Sequence, residues 1–249
     1  MATHVYDSIG LGYAKYRRPD PRIAVAIRGA IGNVETVINV GAGTGSYEPD
    51  DLPVVAVEPS WEMCSQRPSR RAEVIRATAE QLPFRDASFD AALAVLTMHH
   101  WRNRGAGLRE MLRVARKRVV LLTWDPSHPG FWLVRDYMPE ILWTDRELFP
   151  STDELRDHLG TIEIRTVAIP HDCVDGFLGA YWRRPEAYLD ADVRRAISTF
   201  SRVDATAAVA RLRSDLDDGT WTRTNGNLVS LQELDLGYRL VIATTGSGP

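Results

Sequence analysis

The segment Thr36-Val-Ile-Asn-Val-Gly-Ala-Gly-Thr-Gly45 is the most informative part of the chain, because an apolar, β-branched run ends directly in three closely spaced glycines. A second run of this kind, Pro53-Val-Val-Ala-Val-Glu58, begins eight residues after the last glycine and ends in an acid. A glycine turn after a strand lets a ligand approach the backbone and offers it unpaired N–H groups. An acid at the end of the next strand can accept hydrogen bonds from ribose hydroxyls. The pair therefore predicts a nucleoside-binding site; the alternative is a plain tight turn and an exposed glutamate.

The sequence outside this segment alternates predicted strands with predicted helices. Such alternation is typical of βαβ units, which form a parallel sheet with right-handed crossovers. The segment between the first two strands has room for about one helical turn, which is shorter than an ordinary crossover. The predicted strands are 36–40, 53–58, 73–77, 89–96, 119–124, 162–169 and 237–243, and the predicted helices include 23–31, 61–66, a helix around 108–115 and 151–160.

The interruption of this alternation after residue 126 indicates an insertion. If the last two strands pair, the mostly helical segment between them lies over one edge of the sheet as a cap. We expect a single domain over 1–249, with a helical leader at 1–32. Its core is expected at about 33–126, 151–170 and 236–245, and its cap at about 127–150 and 171–235.

Composition excludes several classes of protein. The 249 residues carry a formal net charge of −3, which argues against nucleic-acid binding by bulk charge. No window approaches the roughly 20 apolar residues of a membrane span, and the N-terminus lacks the pattern of a signal peptide. Cys64 and Cys173 have no metal-ligand spacing, so we expect a cytoplasmic protein with no metal.

Ordered sequence blocks resemble the class I S-adenosylmethionine (SAM)-dependent methyltransferases, in the type 11 branch that acts on small molecules. The blocks are 37–45, 54–60 with Met63, 79–84, 87–91 and 98–101. The resemblance implies an α/β, Rossmann-like, seven-stranded and mostly parallel sheet with helices on both faces and a helical cap insertion. It also implies that the last strand runs antiparallel, that the cofactor is SAM and that the other partner is a small-molecule acceptor.

The resemblance also implies a set of cofactor-binding residues. Two departures accompany it: Thr78 stands where the family usually has Asp, and the first crossover helix is abbreviated. The implied residues are Arg18 for the SAM carboxylate, Gly41, Ala42, Gly43 and Gly45 around the methionine part, Glu58 for the ribose, Pro59 and Met63 beside the adenine, Thr78, Ala79 and Glu80 at the adenine edge, and Thr97 near the sulfonium.

Further residues are expected to meet the acceptor. His99 follows the fourth strand and is a potential general base for a hydroxyl or ring N–H, or else a hydrogen bonder that positions its loop. His100, Trp124, Trp132 and Tyr181 are the predicted acceptor contacts, and packing of the cap against the sheet is the alternative for the aromatic ones.

Two other functions stay open at this point. A nicotinamide-dependent oxidoreductase uses a similar loop, but Ser46 stands where its Gly-x-Gly-x-x-Gly motif has the third glycine. A non-catalytic module that binds SAM or a partner is the other alternative. Methylation of nucleic acids is disfavoured, because Thr97-Met-His-His100 replaces the Asn/Asp-Pro-Pro-aromatic motif of amino methyltransferases. The identity of the acceptor, the atom methylated and the oligomeric state all stay open.

Overall fold

A computed structural model describes residues 16–69 and 71–246 of the chain. Seven of the described strands form one sheet in the order β3-β2-β1-β4-β5-β9-β6, and β7 and β8 form a separate pair. The strands are β1 (Val37–Val40), β2 (Val54–Val57), β3 (Val74–Ile75), β4 (Phe89–Val95), β5 (Ala115–Trp124), β6 (Ile162–Thr166), β7 (Ile169–Pro170), β8 (Glu233–Leu234) and β9 (Tyr238–Thr244). The α-helices are α1 (Pro21–Ile31), α2 (Trp61–Ser65), α3 (Arg104–Val114), α4 (Glu140–Leu148), α5 (Thr152–Leu159), α6 (Ala191–Arg195), α7 (Thr206–Asp217) and α8 (Thr220–Asn225).

The centre of the sheet is parallel and buried on both faces. β1 pairs with β2 from Val37 opposite Val54, and with β4 from Val37 opposite Ala91. All four residues of β1 are buried, as the apolar sequence of a parallel strand requires. Because parallel strands in register end at the same edge, the loops after β1, β2 and β4 meet there.

The last strand closes the sheet in the opposite direction. β9 runs antiparallel to both β5 and β6, with Trp124 opposite Tyr238 and Ile164 opposite Val241. The predicted mostly parallel, seven-stranded Rossmann-like sheet with an antiparallel final strand is therefore confirmed. The predicted strand 162–169 is wrong in extent, because β6 ends at Thr166 and β7 leaves the sheet to pair with β8.

A compact loop without a helix connects β1 to β2. The sequence leaves room for about one helical turn here, but residues 41–53 contain turns, a bend and irregular backbone and no helix. Tyr47 adopts a positive φ of 63°, and prolines at positions 49 and 53 further restrict the backbone. A buried ion pair holds the loop instead: Arg67 Nη2 lies 2.7 Å from Glu48 Oε1, and Arg67 Nη1 donates to the carbonyl of Gly43.

Short helices form the region outside the sheet. In the segments 127–150 and 171–235 they include a π-helical turn at Leu133–Tyr137 and 3-10 turns at Leu178–Tyr181 and Ser198–Ser201. Trp132, Trp182 and Tyr188 are fully buried among them, and one continuous apolar core joins this region to the sheet. None of the described helices is long and apolar enough to span a bilayer.

The helix predicted at 151–160 is present as α5, and a serine three residues before a glutamate at its start could form a reciprocal capping box. Ser151 Oγ accepts a hydrogen bond from the Glu154 N–H, as the spacing predicts. The Glu154 carboxylate, however, pairs with Arg104 at 2.9 Å. This ion pair links α5 to α3. Glu154 therefore stabilises the contact between two helices, and its N–H is also part of the cap of α5.

Candidate functional site

A cavity of about 800 Å³ lies at the carboxyl ends of β1, β2 and β4. This volume falls within the roughly 300–1,000 Å³ of small-molecule sites. Segments that are far apart in the sequence line the cavity, as expected for the edge where parallel strands end. Its lining includes Arg17, Asn39, Gly41, Ala42, Gly43, Ser46, Glu58, Pro59, Met63, Thr78, Ala79, Glu80, Leu96, Thr97, His99, His100, Trp101, Leu148 and Arg202.

The glycine loop after β1 forms one wall of the cavity. Gly41 and Ala42 donate their N–H groups to the carbonyl of Val57 at 2.8 and 3.0 Å, which fixes the turn. Gly41 has a φ of +70°, and a Cβ atom there would collide with the side chain of Thr97. The position therefore needs glycine for two reasons, backbone conformation and the close approach of the loop after β4.

Glu58 presents a pre-oriented carboxylate at the floor of the cavity. Its side chain is buried, Oε2 accepts a hydrogen bond from the Gly43 N–H at 2.8 Å, and Oε1 accepts one from the Ser60 N–H at 2.9 Å. A carboxylate offers about four acceptor sites, so these two backbone bonds do not exhaust its capacity. The arrangement suits a ligand with two neighbouring hydroxyl groups.

A second carboxylate, that of Glu80, also lines the cavity. Burial alone would raise the pKa of Glu80, but hydrogen bonds from backbone N–H groups and from the Thr78 hydroxyl lower that pKa below its ordinary value. Glu80 Oε1 accepts from the N–H groups of Arg102 and Asn103 at 2.8 and 3.2 Å. The loop after β3 therefore offers an ionised acceptor, although Thr78 replaces the family's acid.

Two histidines close the end of the cavity beside β4. The His99 ring stacks on Phe149 at 4.4 Å and lies 3.8 Å from the His100 ring. Burial, followed by the charges of His100, Arg202 and Arg17, lowers the pKa of His99 well below its usual value. Burial and the same two arginines lower the pKa of His100 to about 3. Both rings are neutral at pH 7, so they act as hydrogen bonders and not as cations.

The structure brings most of the sequence-predicted residues to this cavity, with exceptions. Arg18 is exposed, whereas its neighbour Arg17 lines the cavity, because the Arg17 guanidinium turns inward to pair with Asp175 at 2.6 Å. Gly45 faces the buried pair of Glu48 and Arg67 on the far side of the loop. The expectations for Arg18 and for direct lining by Gly45 are therefore corrected.

Of the three aromatic residues predicted to contact the acceptor, only Trp124 lies beside a pocket. Trp124 borders a smaller pocket that adjoins the cavity. Trp132 is fully buried and donates to the carbonyl of Trp182 at 2.7 Å, so it belongs to the core. Tyr181 packs edge-on against Tyr188, with Arg184 over its ring, and lines neither space.

Sequence reasoning missed the residues that the cap contributes. Arg202 lines the main cavity, and Asp145 and Phe149 line the smaller pocket. They lie far along the chain from the motifs that mark the site, in segments whose patterns indicate only helices. An acid within a short amphipathic helix ordinarily faces solvent, so nothing in the sequence singles out Asp145.

Known proteins resemble the chain over most of its length and over its motif region. Residues 38–123 match the family model described as "Methyltransferase domain". A crystal structure from Anabaena variabilis, described as a methyltransferase from an antibiotic biosynthesis pathway, is 35% identical, covers 92% of this chain and 99% of its own, and has a TM-score of 0.83. Over shorter stretches, the demethylmenaquinone methyltransferase of Renibacterium salmoninarum is 32% identical, covering 55% of this chain and 58% of its own length. The 2-methyl-6-phytyl-1,4-hydroquinone methyltransferase 2 of rice is 27% identical, covering 47% of this chain and 35% of its own length.

The two curated relatives share only part of their length with this chain. The Anabaena structure, in contrast, matches nearly end to end and so includes the cap. The sheet order, the glycine loop, the acid after β2 and this full-length match lead to one assignment. The chain belongs to the SAM-dependent methyltransferase family.

Proposed function

We propose that this chain transfers the methyl group of SAM to an oxygen, nitrogen or carbon atom of a small-molecule acceptor. The observation that carries the proposal is the Glu58 carboxylate, held by two backbone N–H groups inside a cavity that also contains the two neutral histidines. The full-length relative is described as acting in antibiotic biosynthesis, and two partial relatives are named for quinone-type acceptors. One further partial relative is named for a tRNA nucleoside.

The residues present fit SAM by their donor and acceptor chemistry. The glycine cradle of Gly41 and Gly43 would hold the methionine part, and Glu58 would accept both ribose hydroxyls. Pro59 and Met63 would border the adenine, with Glu80 as an acceptor near its edge. Arg17 takes the place expected for Arg18 near the carboxylate. SAM, when bound, supplies a methyl group activated by a sulfonium.

The chain's own residues align the acceptor and exclude water. Near-attack geometry alone supplies about 7–11 kcal/mol of a barrier. His99 Nδ1 is buried and lacks a hydrogen-bond partner among the described residues, so it is available to an acceptor group. Because the pKa of His99 is strongly lowered, this ring is a poor proton acceptor and a good hydrogen-bond partner. We therefore assign His99 the role of orienting the acceptor by a hydrogen bond.

The same features disfavour a dinucleotide cofactor. A pyrophosphate is usually bound at the N-terminus of the helix that follows the glycine loop. In the described part of the chain, residues 41–53 contain no such helix. We further propose the cytoplasm as the compartment, because Cys64 and Cys173 are both free thiols.

The experiment is a transfer assay with methyl-labelled SAM and a panel of phenols, quinols, amines and carbon acids. We expect a labelled product from at least one acceptor class, identified by mass spectrometry, and stoichiometric S-adenosylhomocysteine. Oxidation of NADH or NADPH by the same preparation, with no transfer to any acceptor, would contradict the proposal. Tight SAM binding without any transfer would instead support the non-catalytic module.

A variant of His99 separates positioning from general-base catalysis. With an acceptor identified, His99→Ala should raise KM about tenfold and leave kcat within about threefold, because general-base work is normally worth about 10²-fold or more. His158→Ala, which lies outside the cavity lining, is the control. If His99→Ala instead slows turnover by about two orders of magnitude at unchanged KM, His99 is the base.

A further inference from the structure

A smaller pocket opens beside the main cavity, under the cap. Its volume is about 40 Å³, enough for a small apolar group. Arg17, Leu96 and His99 line both spaces, so they mark the junction between them. Four of the nine other lining residues are aromatic, namely Trp124, Phe149, Phe177 and Tyr238.

An ion pair crosses this junction. Asp145 on α4 is fully buried and lines the smaller pocket, whereas Arg202, after the Ser198–Ser201 turn, lines the main cavity. Arg202 Nη2 lies 3.0 Å from Asp145 Oδ1. A buried pair contributes little net stability compared with apolar packing. Its place between a ligand-sized cavity and a small side pocket suggests recognition.

The junction is polar but incompletely satisfied. Asp145 Oδ2, Arg202 Nε and His99 Nδ1 are buried, and none has a hydrogen-bond partner within the described residues. Buried polar atoms are nearly always paired, because an unpaired one costs about 1–3 kcal/mol. Three such atoms around one opening indicate a ligand that supplies the missing bonds. The carboxylate oxygen can only accept, so that ligand must carry a donor.

The charges at the junction argue against an anionic ligand. Asp145 neutralises Arg202, and Asp175 neutralises Arg17 at 2.6 Å. An added carboxylate would face Asp145 across a poorly solvated space, and such a repulsion is not screened as it is in water. The surrounding rings favour a flat apolar body, which they can contact edge-on or by stacking.

We propose that the junction is the acceptor subsite, that it selects an uncharged, flat, apolar molecule with a hydroxyl or N–H donor, and that Asp145 is a specificity-determining residue that receives this donor. Arg202 holds the Asp145 carboxylate in place. His99 contacts the same polar group from the side of β4. This inference deepens the proposed methyl transfer and rests on it.

Three fluorescent probes of one shape test the proposal. 2-Naphthol has a donor and is neutral at pH 7, 2-methoxynaphthalene has no donor, and 2-naphthoate is an anion. Each is titrated into the full chain saturated with S-adenosylhomocysteine. We expect 2-naphthol to bind at least tenfold more tightly than either of the others. Equal affinities, a preference for 2-naphthoate, or no binding of any probe to the saturated protein would overturn the inference and leave the proposed function standing.

Asp145→Asn tests the assigned residue. It frees the Arg202 charge and removes the ionic acceptor, so 2-naphthol should bind at least tenfold more weakly and 2-naphthoate more tightly than in the wild type. Asp90→Asn is the matched control, because Asp90 is also buried and paired with an arginine, Arg116 at 2.9 Å, but at the opposite edge of the sheet. An unchanged order of probe affinities in Asp145→Asn would overturn the role of this residue.

A further variant keeps the test informative if Asp145→Asn does not fold. Arg202→Gln, at a partly exposed side chain, removes the cation beside Asp145, so it should weaken 2-naphthoate further and leave 2-naphthol the tightest of the three probes. Tighter binding of 2-naphthoate to this variant would contradict the assignment. Failure of S-adenosylhomocysteine itself to bind the wild type would instead refute the proposed function, and the inference with it.

Discussion

Single residues at the edge of the sheet define the cofactor cavity by geometry as well as by chemistry. Glu58 is oriented by two backbone N–H groups, and Gly41 leaves space that the Thr97 side chain borders. These residues follow strands directly, so short sequence motifs are enough to predict them. Short motifs do not predict the places of Arg17 and Asp145. These places depend on how the leader and the cap fold back over the sheet.

Gly41→Ala tests the close approach of the two loops. The added Cβ would collide with Thr97 as well as adopt a φ of +70°, so we expect a loss of more than about 2 kcal/mol in the free energy of unfolding, measured with urea. Gly219→Ala is the control, since it has a φ of +78° and meets only the flexible end of Arg223. It should cost about 1 kcal/mol. Equal losses would show that backbone conformation alone requires glycine at Gly41.

Among the secondary-structure elements, the connection between β1 and β2 is the unusual feature. The sequence predicts that this connection is short, because only seven residues separate Gly45 from Pro53. What replaces the helix is not predictable, because Arg67 lies beyond α2 and reaches back to Glu48. The pair is nearly inaccessible to solvent, and Asn39 adds a hydrogen bond to the same carboxylate at 3.2 Å. A long-range ion pair therefore performs the structural work that a crossover helix ordinarily does.

Arg67→Met tests this substitution of an ion pair for a helix. Removing one partner leaves Glu48 buried and unpaired, which costs about 3–5 kcal/mol in the free energy of unfolding. The lost bond to the Gly43 carbonyl should also weaken binding of S-adenosylhomocysteine. Arg165→Met, which breaks an exposed pair with Glu163, should leave both the urea midpoint and the affinity unchanged. A wild-type affinity in folded Arg67→Met would show that the loop keeps its shape without the pair.

In the molecule as a whole, the sheet and the cap share one apolar core. The strands of the sheet were predictable from hydrophobic runs and turn residues, and the antiparallel last strand from the family resemblance, but the strand order was not predicted. The arrangement of the cap over the sheet edge was not predictable from the sequence. The short helices of the cap depend on contacts such as the hydrogen bond from the Trp132 indole to the carbonyl of Trp182. The neutral histidines between the sheet and the cap are a consequence of that burial.

Acid should therefore weaken the fold through His100, which is neutral in the folded chain and gains a proton when the chain unfolds. The pKa of His100 is about 3 in the folded chain and about 6.5 when unfolded. The contribution of the neutral ring to the free energy of unfolding is therefore fully present above pH 6.5 and is lost as the pH falls towards 3. Between pH 7 and 5 the wild type should lose about 1–2 kcal/mol more than His100→Asn, measured by urea unfolding at both values. The lower end of this energy range corresponds to partial solvation of the His100 ring from the cavity beside it. Equal losses in both proteins would mean that His100 stays accessible to protons.

Cofactor binding at Glu58 underlies every other conclusion, and a calorimetric titration with S-adenosylhomocysteine of the wild type, Glu58→Ala and Glu62→Ala tests it. Glu62 is the matched control because it lies four residues further along the chain, on α2, and outside the cavity lining. We predict micromolar binding to the wild type and to Glu62→Ala, no binding of NAD, and an affinity at least about 10²-fold weaker for Glu58→Ala, since two hydrogen bonds to a charged group are lost. Absence of binding to the wild type, or an unchanged affinity in Glu58→Ala, would contradict the assignment of this cavity to SAM.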